Sequence, residues 1–292
     1  MASATSAILT VGAAGKFAGL VVPALAKRGA KVRGLIQKAA QAEKVLKHGA
    51  SEVAVGDLRD RASLDVALKD VSSVFYIAPA FLSDEVEIGK RIVEAAKQAG
   101  VRRFVFSSVI HPVLSRLPNH ALKAPVEEAV LNSQLEYTFL HPTVLFQNYA
   151  AAWNGIVETG VVAEPWSNDT RFSRVDYRDV AEVAAIALTE DRLLYGTFEL
   201  CADGWLDRYD VASLIVNIGG ITVNVVAPGV TITPSAKKAL PQEVRDTAIK
   251  MRCLNHEENA GDLTGAVFFL ASPDADFITG QTIIVDGGNE ML

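Results

Sequence analysis

The sequence predicts an α/β fold: a doubly wound parallel sheet with helices on both faces and additional C-terminal strands. Three observations carry this. Short runs rich in Val, Ile, Leu and Phe alternate with stretches of helical period through the first two hundred residues. Those runs are apolar at nearly every position, as a strand buried on both faces requires. A glycine-rich segment directly follows the first of them.

The elements follow in order. Ala7–Val11 reads as a strand and about Lys16–Arg28 as a helix. Lys31–Ile36 and Ala39–His48 repeat the pair, as do Glu52–Val55 and Arg61–Leu68, then Val71–Ile77 and Asp84–Ala99. Arg103–Ser107 is a fifth strand, Lys123–Ser133 a helix and Glu136–His141 a sixth strand. Strands separated by helices call for right-handed crossovers and hence a doubly wound sheet. Beyond Gln147 the rhythm loosens. A helix is expected over Tyr149–Val161, a polar turn over Glu164–Asn168 and a short strand over Phe172–Val175. Asp179–Thr189 reads as a helix with Asp179 as its N-cap. Gly196–Cys201 is a strand and Arg208–Ile215 a helix. The tail offers Ile221–Ala227 as a strand, Pro241–Lys250 and Asp262–Ala271 as helices, and Thr282–Asp286 as a last strand.

Composition narrows the function. The 292 residues are 50% hydrophobic, enough for a large core. The net charge of −6, with both signs spread along the chain, is not the basic footprint of a nucleic-acid binder. Cys201 and Cys253 have neither metal-ligand nor disulfide spacing, so a reduced, cytoplasmic setting is expected. No basic leader opens the chain, and no apolar run is long enough to span a bilayer uninterrupted, so neither a signal peptide nor a membrane partner is expected.

Gly12-Ala13-Ala14-Gly15-Lys16-Phe17-Ala18 joins the first strand to the first helix. A glycine at the strand end permits a tight turn, a second admits a pyrophosphate, and the small Ala18 lets helix and strand pack closely. Free N–H groups at the helix start then face the phosphates. A turn that only tightens the junction is the bland alternative. Placed after the first strand of an alternating chain, the pattern indicates a Rossmann-type dinucleotide site at Gly12, Ala14, Gly15, Lys16 and Phe17. The second strand ends in Gln37-Lys38, where an NAD site carries an acid for the ribose hydroxyls. Lys38 suits a 2′-phosphate instead, or is an ordinary solvated lysine. NADP(H) is therefore expected ahead of NAD(H). Asp57 and Leu58 follow the third strand, with Asp57 either meeting adenine or capping a turn. Ala78 and Pro79 end the fourth strand and leave room for the cofactor.

Taken together, Gly12-x-x-Gly15-x-x-Ala18, Gly56-Asp57-Leu58, Ser107-Ser108-Val109, Asn119-His120-x-x-Lys123, Gln147-Asn148 and Val175-Asp176-Tyr177-Arg178-Asp179 resemble the NmrA-like group, an atypical branch of the short-chain dehydrogenase/reductase superfamily. The resemblance covers about residues 5–215. It implies NADP(H) binding and either a reductase or a redox-sensing regulator. Gly220–Gly229 and Ala271–Gly288 resemble instead the C-terminal part of ordinary single-domain short-chain dehydrogenases. There the Pro-Gly stretch and a following threonine, here Thr231 or Thr233, approach the nicotinamide, and the last strand often meets a second subunit. A homodimer through that strand is one consequence. The division expected is 1–215 and 216–292. The two resemblances compete: Leu135–Thr143 and Ile221–Gly229 both match a sixth strand, and Thr197–Cys201 and Thr282–Asp286 both match a seventh.

The superfamily's chemistry uses a serine and a Tyr-x-x-x-Lys pair. Here Ser107 and Ser108 end the fifth strand and Lys123 matches the lysine, but Asn119 stands where the tyrosine belongs. Asparagine does not exchange a proton near neutrality. His120 either serves as the acid/base or orients Lys123. Lys123 either holds the nicotinamide ribose or pairs with Glu127 or Glu128 one turn on. Pro142 and Thr143 are expected near the nicotinamide, with structural roles favoured for His111 and His141. The reading is an NADP(H)-dependent reductase of a small carbonyl, quinone or related electrophile; a non-catalytic NADP(H) sensor is the alternative.

Overall fold

The computed structural model describes residues 6–164, 166–167, 169–219 and 223–289. The chain runs β1 (Ala7–Val11), α1 (Ala18–Lys27), β2 (Val32–Ile36), α2 (Ala42–Lys47), β3 (Glu52–Val55), α3 (Arg61–Ala67), β4 (Val71–Ile77), α4 (Glu85–Gln98) and β5 (Arg103–Ser107). It continues α5 (Pro118–Ala121), α6 (Ala124–Leu131), β6 (Glu136–Pro142), β7 (Val144–Leu145), α7 (Tyr149–Thr159), β8 (Arg174–Val175), α8 (Tyr177–Thr189) and β9 (Gly196–Leu200). Last come α9 (Arg208–Gly219), β10 (Val225–Pro228), α10 (Pro234–Ala239), α11 (Gln242–Met251), α12 (Thr264–Leu270) and β11 (Thr282–Val285).

Two compact units result. The first comprises 1–146 and 174–202, the second 147–173 and 203–292. These units do not divide at 215/216, where the two sequence resemblances meet.

The first unit holds a seven-stranded sheet ordered β3-β2-β1-β4-β5-β6-β9, parallel throughout. One face packs on α3, α4 and α6 through Leu64, Ile92 and Val126. The other packs on α1, α2 and α8 through Val21, Val45 and Val180. This is the expected Rossmann-type doubly wound sheet. A buried charge anchors it. Arg103 of β5 is 1% exposed, and its guanidinium donates to the carbonyls of Ala187 and Glu190 at 2.9 and 2.7 Å. It thereby satisfies orphan acceptors at the end of α8, while Glu136 and Asp191 balance its charge.

Several boundaries moved for local reasons. The N-cap of α8 is Asp176, whose carboxylate accepts from the Arg178 N–H, not Asp179, which lies in the first turn. Residues 16 and 17 belong to the glycine turn rather than to α1. The short helix α5, started by Pro118, was not expected.

In the second unit β10 and β11 pair with each other, in parallel, as a separate two-stranded sheet. The competition for a sixth and seventh strand is thus settled. β6 and β9 occupy the large sheet, and the tail's pair stands in its own. Buried Asn224 joins its strands: its amide donates to the Ile278 carbonyl at 2.8 Å and its oxygen accepts from the Gln281 N–H at 3.0 Å. Val223 and Val225 pack with Ile156 of α7 and Val211 of α9. Ile221 and Thr222 of the expected strand, and Pro165 and Asn168 of the expected polar turn, lie outside the described residues.

Candidate functional site

The carboxyl ends of β1, β2, β3 and β4 converge on a groove of about 270 Å³ lined by Gly12, Ala14, Gly15, Lys16, Phe17, Gln37, Leu58, Ala78 and Pro79, among others. These are nine of the residues expected from sequence. Gly12 has φ +70°, the left-handed region where a side chain is strained. A Cβ at Gly15 would lie 3.0 Å from the Gly12 carbonyl. The turn closes through Gly15 N–H to that same carbonyl at 2.8 Å. Among the described residues no backbone acceptor meets the N–H groups of Ala14, Lys16 and Phe17. A glycine-formed cradle with free donors is what a pyrophosphate needs, so the loop fits a dinucleotide.

The remaining expected residues lie outside the lining. Lys38 precedes a short 3-10 turn at the rim and is exposed. Its N–H donates to Gln41 Oε1 at 3.0 Å. Gln41 itself lines the groove, and Lys44 donates to the Ala14 carbonyl at 3.0 Å. Neither was singled out in the sequence. Both sit on a helical stretch with no motif, and only folding brings them to the loop. Asp57 is exposed and accepts from the Arg59 N–H at 2.8 Å, which is the turn-capping role.

Farther along the same sheet edge lie the residues expected for chemistry. Ser107 is buried and accepts from the Tyr177 hydroxyl at 2.8 Å. The Tyr177 ring packs 4.9 Å from that of Phe17 in the glycine loop. Burial raises the Tyr177 phenol far above its ordinary value, so it is protonated and donates. The sequence showed Tyr177 only as part of a motif and gave no sign of this partner, 70 residues away.

Lys123 is buried. Its ammonium donates to Glu85 Oε1 at 2.5 Å and to the Asn119 side chain and backbone oxygens at 2.9 and 3.1 Å. It therefore pairs with neither Glu127 nor Glu128. His120 Nδ1 donates to the His111 carbonyl at 3.2 Å, and the only bond His120 shares with Lys123 among the described residues is through the backbone, its carbonyl accepting from the Lys123 N–H at 2.9 Å. Ser108 Oγ donates to Glu127 Oε1 at 2.5 Å, and His141 Nε2 lies 2.9 Å from that same oxygen. Pro142 ends β6, and the Thr143 N–H bonds the Leu200 carbonyl at 3.0 Å.

The tail's expected threonines are placed in the second unit. Thr231 donates to Glu258 at 2.6 Å and Thr233 caps α10. Both line a cavity of about 670 Å³ there, with Pro228 and Gly229.

Fold and groove define a dinucleotide-binding protein of the short-chain dehydrogenase/reductase type. The NmrA-like family matches residues 4–268, and the chain belongs to it. That match runs past residue 215, where the resemblance was expected to stop. An NAD(P)H azoreductase of Xenophilus azovorans is 29% identical over 276 residues, spanning 91% of this chain and 88% of that protein. Among solved structures, an NADPH-dependent quinone oxidoreductase of Escherichia coli superposes with a TM-score of 0.68 at 22% identity, over 92% of this chain and 88% of that one. Triphenylmethane reductase of Citrobacter sp., complexed with NADP(H), does so with a TM-score of 0.66 at 22% identity, over 75% and 78%. Among the described residues no helix is long and apolar enough to cross a membrane.

Proposed function

We propose that this protein is an NADP(H)-dependent oxidoreductase that reduces quinones, azo compounds or related small conjugated electrophiles. The observation that carries the reading is the groove at Gly12 and Gly15, with its free N–H donors and with Gln37-Lys38 where an NAD enzyme has an acid. Gly12, Ala14, Gly15, Lys16 and Phe17 hold the pyrophosphate, Lys38 faces the 2′-phosphate, and Leu58, Ala78 and Pro79 border the adenine side. When bound, the reduced cofactor supplies the hydride. The named activities of the azoreductase and quinone oxidoreductase relatives support the acceptor class.

Tyr177 and Ser107 position the site rather than react. Their hydrogen bond joins α8 to the end of β5, and the Phe17 contact carries that rigidity into the loop. Lys123 fixes α6 against α4 through Glu85.

A sensor without turnover is the second reading, favoured by Asn119 in the tyrosine's place and by the engagement of Lys123 with Glu85. The deciding experiment follows NADPH oxidation through the loss of reduced-nicotinamide absorbance, with a panel of quinones, azo dyes and aldehydes. Turnover with quinones or azo dyes is expected. Tight NADPH binding with no turnover on any acceptor would sink the enzyme and leave the sensor.

A further inference from the structure

A reductase needs a proton as well as a hydride, and this chain lacks the tyrosine that provides it elsewhere in the superfamily. The end of β5 and the end of β6 carry a different hydrogen-bonded group. The parallel register pairs Ser107 with Leu140, so Ser108 and His141 follow side by side, and the Ser108 N–H donates to the Leu140 carbonyl at 2.9 Å. From α6, Glu127 reaches down between them. Its Oε1 accepts from Ser108 Oγ at 2.5 Å and meets His141 Nε2 at 2.9 Å. Ser108 is 7% exposed, and the Glu127 and His141 side chains 14% and 8%.

The charges around Glu127 leave it to this group. Lys123, the N-cap of α6 one turn before Glu127, is given to Glu85 of α4. On α5, His120 is turned to the His111 carbonyl. On β6, Glu136 serves Arg102 and Arg103 at the far end of the strand. Among the described residues His141 is the one basic partner of Glu127. A largely buried carboxylate shared by an imidazole and a hydroxyl is a path along which a proton can move. It lies at the carboxyl edge of the sheet, where ligands of such folds bind.

We propose that Ser108, Glu127 and His141 form the proton-delivery chain of the reduction, with Ser108 Oγ the terminal donor; this rests on the reductase reading above. As the substrate gains the hydride, an electron pair shifts onto its oxygen or nitrogen. Ser108 turns its O–H from Glu127 toward that atom, which takes the proton, forming its O–H or N–H bond as the serine O–H breaks. The serine oxygen recovers a proton through Glu127 Oε1, which takes it from the His141 imidazolium. The imidazole, left neutral, is reprotonated from water. Ser108 is thus the residue that touches substrate, and Glu127 and His141 are positioning residues behind it.

The test uses the full chain with Ser108→Ala, Ser108→Thr, Glu127→Gln and His141→Asn. NADPH binding by fluorescence titration should stay within about twofold of wild type in all four, since none touches the glycine loop. With a quinone or azo acceptor that the wild type reduces, kcat should fall about 100-fold in Ser108→Ala, the low end for loss of a general acid. It should recover largely in Ser108→Thr, which keeps the hydroxyl. Wild-type kcat is expected to fall with rising pH as the delivery chain loses its proton, and that fall should vanish in Ser108→Ala and His141→Asn. In NMR titration of the cofactor-free protein the His141 ring signals should respond to pH at a lower value in Glu127→Gln than in wild type, because an opposite charge 2.9 Å away is removed. If wild type turns over while Ser108→Ala keeps both its kcat and its pH profile, the chain of delivery is wrong and the reductase reading stands. An unmoved His141 titration in Glu127→Gln overturns the coupling independently of turnover. If wild type reduces no acceptor at all, the reductase reading fails and the delivery proposal falls with it.

Discussion

The Lys123 ammonium sits 2.5 Å from the Glu85 carboxylate, with side chains 5% and 0% exposed. Removing one partner strands the other charge in the core, which costs about 3–5 kcal/mol. Lys123→Met and Glu85→Gln are each expected to lower stability by that order in urea unfolding. The double variant Glu85→Met/Lys123→Met should recover a large part of the loss, because no isolated charge remains. Equal losses in single and double variants would mean that the pair contributes through packing alone.

At Gly15 an added Cβ meets the Gly12 carbonyl at 3.0 Å. Gly15→Ala should therefore shift the turn and raise the NADPH Kd at least about tenfold, about 1.4 kcal/mol of binding. Thermal unfolding without cofactor should change little. A Kd that stays at the wild-type value would remove the loop from the cofactor site.

Lys38 has no acidic partner among the described residues and stands at the rim of the groove, behind Gln37. Lys38→Glu is expected to weaken NADPH binding by about tenfold or more while leaving NADH binding equal or better, since a 2′-phosphate would then face a like charge. Competition titrations with the two cofactors measure this. Parallel changes for both would show that Lys38 does not read the 2′-position.

Tyr177 gives a pH dependence with a definite sign. Its phenol is raised by burial, opposed in part by the Ser107 hydrogen bond, and Tyr76 is raised by burial and by Glu85. Unfolded tyrosines titrate near pH 10. The folded state holds these protons more tightly, so the stability they contribute is complete below about pH 10 and is lost as pH climbs toward the folded values. Unfolding free energy should fall by up to about 1.4 kcal/mol per pH unit for each tyrosine in that window. Tyr177→Phe should cost about 1 kcal/mol at neutral pH through the lost Ser107 bond and should reduce that alkaline slope. An unchanged slope would place the alkaline sensitivity elsewhere.

In the second unit, Asn224→Ala leaves the Ile278 carbonyl and the Gln281 N–H without their buried partner. A loss of about 1–3 kcal/mol is expected for that unit. Hydrogen exchange should show it as faster exchange across Val225–Pro228 and Thr282–Val285, with β1 and β4 unaffected.

The sheet and the glycine loop were legible because their signals are local. Apolar runs such as Val71–Ile77 must be buried on both faces, and only glycine takes the Gly12 conformation cheaply. Chain order with right-handed crossovers then leaves few strand orders to choose from. The chemical end of the site was less legible. Lys123, Ser107 and Ser108 were named from their positions in a pattern, yet their partners Glu85, Tyr177 and Glu127 lie 38, 70 and 19 residues away. Gln41 and Lys44 carry no motif and meet the loop only through the placement of α2.

By itself, then, the sequence determined the alternation of elements, the glycine turn and the missing acid after β2, since each follows from what neighbouring residues allow. Tertiary structure alone decided which charge neutralises Lys123, how Glu127 comes to be shared by Ser108 and His141, and where the two candidate sixth and seventh strands go. The physical reason is the same in each case. A buried ion or an unpaired strand is satisfied by whatever the packed chain brings within about 3 Å, and spacing along the backbone does not encode that distance.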